Sequence, residues 1–152
     1  MTAKTAAGNL PPELTWPEAP PPMSITAEFW VYARRKGKIA KPSERSGKWL
    51  VFVDKSKADE LWEKVARATT EGRLGPSAKC GTARPNPNAP NPMETVICVY
   101  TPNFDDREDV MRVREELRKI GVTKRIPYKL DRTTLEGRYA VRGDTRISAL
   151  WA

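Results

Sequence analysis

The chain alternates blocks of apolar and polar residues that predict six strands and two helices. Phe29-Trp30-Val31-Tyr32 is dense in aromatic and β-branched residues and reads as a strand. A polar, basic run from Arg34 to Ser46 reads as a loop. Lys48 to Val53 is the next strand, and its continuous apolarity suggests a central position. Asp54 to Glu71 reads as a helix: Ala58, Leu61, Trp62, Val65 and Ala68 recur at helical spacing. Ser56 with Asp59 resembles a capping box, and Gly72 suits the far end. Ser77 to Thr82 and Glu94 to Thr101 follow as strands, the second the clearest buried one. Between them Arg84 to Pro92 holds four prolines and three asparagines, which cannot sustain helix or ladder and predicts a surface loop. Asp105 to Ile120 is the second helix, with a stripe of Val110, Val113, Leu117 and Ile120, acidic residues at its start and Gly121 at its end. Ile126–Leu130 and Tyr139–Val141 close the series as short strands. Two helices beside short strands predict an α+β class, an antiparallel-rich sheet with helices on one face.

Length then sets the organisation. With 152 residues the chain is expected to form one domain over residues 27–152. Six prolines fall in the first 26 residues, which read as a flexible Pro-rich arm; Leu14 and Trp16 are its only candidates for docking. The longest apolar runs, Trp49–Val53 and Val96–Tyr100, are far short of the roughly 18 residues a membrane helix needs. No bilayer span or secretion signal is expected, and the cytoplasm is the expected location.

The chain contains no histidine, which removes Ser-His-Asp and Cys-His catalysis and every histidine-ligated metal. Two cysteines are too few for a disulfide scaffold or a four-cysteine zinc site. Cys80 and Cys98 either pair, should their strands be neighbours, or serve as small buried apolar residues. No metal and no cofactor is expected.

The net charge of +8 is unevenly spread. Arg34–Lys48 carries seven basic residues and one acidic; Gly121–Arg146 carries seven and three. The excess lies in loops and strand ends, where it either solubilises the chain or attracts a polyanion. Lys48 and Lys79 sharpen the choice. Each sits in or beside an apolar strand, where a cation is costly unless it faces a pocket or snorkels to solvent. Among the tryptophans, Trp62 lies on the helix's apolar face and reads as core. Trp49 and Trp30 lie in strands and read as either core or stacking platforms for a base.

The strings Gly47-Lys48-Trp49-Leu50-Val51-Phe52-Val53, Gly75-Pro76-Ser77-Ala78-Lys79, Val96-Ile97-Cys98-Val99-Tyr100-Thr101 and Asp109-Val110-Met111-Arg112-Val113-Arg114-Glu115-Glu116-Leu117 together resemble the basophilic-leukaemia-expressed protein family, also described as phosphothreonine-lyase-domain proteins. The resemblance implies a fold similar to the mRNA cap-binding translation initiation factor, a curved antiparallel sheet with helices on its convex side. It implies a phosphate-binding domain that recognises a phosphorylated peptide or eliminates its phosphate. Lys79 would be the base and Lys48 would stabilise enolate-like charge. Lys129, Arg125 and Arg84 would hold phosphate. The acid of the bacterial lyases is a histidine where this chain has Leu50, so Tyr128 or water would have to replace it. The cap-binding likeness implies a second function, a nucleotide- or RNA-binding module without catalysis.

Overall fold

A computed structural model of the chain describes residues 10–37, 43–87, 89–131 and 150–152. The described residues form strands β1 (Trp30–Arg34), β2 (Gly47–Asp54), β3 (Ser77–Gly81), β4 (Glu94–Thr101), β5 (Pro127–Leu130) and β6 (Leu150–Trp151), with helices α1 (Lys55–Thr70) and α2 (Arg107–Ile120). They make one curved α+β sheet in the order β1-β3-β4-β2-β5-β6, and every neighbouring pair is antiparallel. β2 lies between β4 and β5, which explains its unbroken apolar run. The strand expected at Tyr139–Val141 lies outside the described residues.

Register divides the side chains between two faces. Ala33, Ala78, Val99, Trp49 and Tyr128 form one cross-strand row, and Val31, Cys80, Ile97 and Val51 the next. Both rows belong to the core cluster with Trp62, Val65 and Ala66 of α1 and Val110, Val113 and Leu117 of α2. The helices therefore cover one face of the sheet. The opposite, open face carries the alternate residues.

The helix ends are set by side chains the spacing only partly indicates. Asp54, not Ser56, caps α1: its carboxylate accepts from the Ser56 backbone N–H at 2.9 Å. α2 starts at Arg107, and Asp106 accepts from the Asp109 N–H. Gly121 ends α2 at φ 125°, a conformation that costs any other residue more.

Residues 10–26, expected as part of a flexible arm with Leu14 and Trp16 as its candidates for docking, are docked. The Trp16 backbone N–H donates to Tyr32 O at 2.8 Å, its indole N–H donates to Glu63, and the Arg67 guanidinium lies over its ring. Leu14, Trp16, Ala19 and Ile25 pack against the core. Proline forbids ladder and helix, yet it also lowers the entropy lost on ordering, so a proline-rich segment with a few apolar anchors can lie flat on a domain.

Candidate functional site

The open face gathers the three lysines singled out in the sequence. Lys48 of β2 stands opposite Lys129 of β5 and opposite Tyr100 of β4. Lys79 of β3 stands opposite Cys98 of β4 and Tyr32 of β1. Trp49, Ala78 and Tyr128, their chain neighbours, belong to the core, so alternation aims all three lysines away from the helices.

Lys79 is the most enclosed of them. Its ammonium lies 4.0 Å from the centre of the Trp30 ring, a cation–π contact, and burial pulls its pKa down. The field of Lys48 lowers it further, while Asp131 and Cys98 oppose the shift. Lys48 lies 3.6 Å from Asp131 and over the Tyr100 ring. The Cys98 thiol sits at the centre of the group. Burial pushes its pKa up, and the charges of Lys79, Lys48 and Lys129 pull it back. Like charges directly opposite on neighbouring strands destabilise a sheet, as Lys48 and Lys129 do here. One carboxylate among three ammonium groups leaves the patch cationic.

Next to Trp30 the open face dips into a cavity of about 660 Å³. Phe29, Trp30, Phe52 and Val96 supply its apolar lining, Lys55 and Arg84 its cations, and the proline-rich residues beyond Arg84 one wall. That volume is in the range of small-ligand sites, roughly 300–1,000 Å³. The loop expected only as surface thus shapes a pocket.

Several expected site residues are elsewhere. Trp49 is fully buried on the helix-facing side, where its indole N–H donates to Val110 O at 3.0 Å, so it cannot stack a ligand. Trp30 can. Tyr128 cannot serve as an acid: it is buried on the same side as Trp49, bonded to Thr101 at 2.6 Å, and its pKa is pushed up to about 12 by burial. Arg84 donates to Ala27 O at 2.7 Å and stacks on Phe29 at the cavity, beyond Trp30 from Lys48 and Lys129. Arg125 is exposed in the turn before β5. It precedes Lys129 by four residues of nearly extended chain, about 13 Å, which puts it at the opposite end of the strand. Cys80 and Cys98 are buried free thiols on opposite faces, so adjacent strands do not let them pair. Tyr32, Tyr100, Cys98 and Asp131 were missed; counting by twos from Trp30, Lys48 or Lys129 along each strand, or across the ladder, would have found them.

Among the described residues no group of three or more carboxylates or thiols is placed to hold a metal, and no helix is long and apolar enough to cross a membrane.

The curved antiparallel sheet with helices on one face is the fold of the eIF4E-type cap-binding proteins. Ascaris suum eIF4E-3, solved with an m2,2,7G cap, superposes with a TM-score of 0.55 at 20 % identity, over 80 % of this chain and 68 % of that one. Schistosome eIF4E, solved with m7GpppG and 4E-BP, gives 0.61 at 16 % identity, over 88 % and 75 %. Caenorhabditis elegans eIF4E-3, solved with the 4E-binding protein Mextli and a cap analogue, gives 0.51 at 18 %, over 78 % and 68 %. At these identities the likeness is one of fold. The family is settled separately: residues 37–135 match the family of basophilic leukemia-expressed protein Bles03, and the chain belongs to it.

Proposed function

We propose that the chain is a non-catalytic nucleotide-binding module, with the base beside Trp30 and the phosphates over Lys79, Lys48 and Lys129. The observation that carries this reading is the Trp30–Lys79 stack on the same face as the opposed pair Lys48 and Lys129. A half-buried ring offers a stacking surface, and the ammonium beside it suits the first phosphate. An anion between Lys48 and Lys129 would relieve their repulsion. The fold neighbours, solved with methylguanosine caps, support the ligand class. The free thiols suit a reducing compartment, and the cytoplasm is the location proposed.

Phosphate elimination from a peptide is the competing reading, and the lowered pKa of Lys79 favours a base there. Against it stands the missing acid: Leu50 is apolar, Tyr128 lies on the other face, and burial holds the open-face tyrosines Tyr32 and Tyr100 protonated and weakly acidic.

Calorimetric titration with a purine nucleoside triphosphate, the nucleoside and inorganic triphosphate tests the proposal. The nucleotide should bind tighter than either fragment, and its affinity should fall with salt. Lys79→Met should weaken it about tenfold or more. Binding that is absent or indifferent to salt would remove the reading. A phosphothreonine peptide that loses phosphoric acid, by mass spectrometry, with wild-type protein but not Lys79→Met would replace it with the lyase.

A further inference from the structure

The open face has a tryptophan at each margin. Trp30 lies on β1; Trp151 lies on β6, the strand at the other edge. Leu150 opposes the core residue Tyr128 and packs against the core, so its neighbour Trp151, opposite Pro127, stands on the open face. Trp151 is 51 % exposed. A lone exposed tryptophan needs no explanation; its place in a series does. Between the two rings come Lys79 on β3, Lys48 on β2 and Lys129 on β5, in strand order. Only β4 adds no cation, and it contributes Tyr100 and Cys98 to the floor.

The series runs across the strands, over five strand spacings of about 4.8 Å, or about 24 Å. One nucleotide with its base at Trp30 and its phosphates over the lysines leaves the far tryptophan unoccupied. A polyanion with bases along it uses the whole series. Cations that track the phosphates, with aromatic rings on which bases stack, are the arrangement that binds single strands without reading their sequence.

We infer that the open face binds a single-stranded oligonucleotide laid across the strands, one base on Trp30, a later one on Trp151, and the intervening phosphates over Lys79, Lys48 and Lys129. This rests on the nucleotide reading above and extends it from one nucleotide to a strand. The span fits the short end of known single-strand footprints, roughly 4–16 nucleotides.

Fluorescence anisotropy with labelled oligouridylates of two to eight nucleotides, beside the mononucleotide, tests it. Affinity should rise with length until the strand reaches both rings, then level off. The ratio of octamer to mononucleotide affinity should fall about tenfold in Trp151→Ala, the loss of one base stack, and recover in Trp151→Phe, which keeps a ring. Trp151→Leu, which keeps apolar bulk without a ring and should lower the ratio likewise, serves should the alanine variant fail to fold. An octamer that binds no tighter than the mononucleotide, or a ratio unchanged in Trp151→Ala, overturns the strand and leaves the nucleotide site standing. Absence of mononucleotide binding removes both.

Discussion

Arg114 gives the sharpest test of how the fold is held. It is a fully buried cation in α2 whose guanidinium is held by main-chain oxygens. Its three nitrogens donate to Ala152 O at 2.9 Å, Val122 O at 2.9 Å and Lys124 O at 2.7 Å, and its Cζ lies 5.9 Å from the Trp49 ring. One side chain thus ties the turn after α2 to the segment that carries β6. Three charge-assisted bonds at about 1.5–3 kcal/mol each set the gross gain. Desolvation of the guanidinium, which also lowers its pKa, takes back a large part. In Arg114→Leu the buried Val122 carbonyl loses its partner outright, whereas water can reach the Lys124 carbonyl beside an exposed residue. The net cost is then about 2–4 kcal/mol. Urea unfolding followed by tryptophan fluorescence reads it: at about 1.5 kcal/mol per molar the midpoint should fall by about 1.3–2.7 M. Arg114→Lys keeps the charge but loses the fork and should recover less than half. A midpoint shift under about 0.5 M for Arg114→Leu, or wild-type behaviour in Arg114→Lys, would refute the reasoning.

Other expectations follow from single contacts. A methyl group on Gly47 would lie 2.1 Å from the Tyr128 hydroxyl, so Gly47→Ala should cost about 1–3 kcal/mol and lower Tm by several degrees, measured calorimetrically; an unchanged Tm would contradict the register. The Tyr128 pKa is raised in the folded state, so its contribution to stability is complete below about pH 10, the ordinary tyrosine value, and is lost as pH climbs through about 12. Tyr128→Phe should flatten that alkaline decline in urea-unfolding measurements, with Tyr100, also raised, leaving a remainder. Because the Lys79 pKa is lowered, triphosphate affinity should weaken at lower pH in wild type than in Lys79→Arg; coincident calorimetric pH profiles would show that Lys79 does not titrate in the site.

The open face was only half legible along the chain, for a reason visible in β2. Its helix-facing residues Trp49 and Val51 alternate with Leu50 and Phe52, which are apolar too, so the period of two vanishes and nothing separates a core tryptophan from a platform. β1 keeps more contrast, and there Trp30 and Tyr32 fall on the open side and Val31 and Ala33 in the core. Lys48 and Lys79 stood out because a cation inside an apolar strand is costly, whereas Lys129 came only from the family resemblance. Arg114 did not stand out, since an arginine one residue past Val113 on an otherwise charged helix looks solvated; its partners are backbone carbonyls, which leave no trace in composition. In residues 10–26 the anchors Leu14 and Trp16 were readable, but the backbone bond from Trp16 to Tyr32 that seats them leaves no trace in composition either. β6 is two residues long, too short for any pattern.

Backbone amide mapping by NMR locates a bound nucleotide on the sheet residue by residue. The labelled chain is titrated with a purine nucleoside triphosphate and the shifted amides are placed on the sheet. Shifts are expected at Trp30, Lys79, Cys98, Tyr100, Lys48 and Lys129, with Ala66, Val113 and Leu117 on the helix-covered side unchanged. Shifts confined to the helix-covered side, or an unchanged spectrum at millimolar nucleotide, would contradict the proposed site.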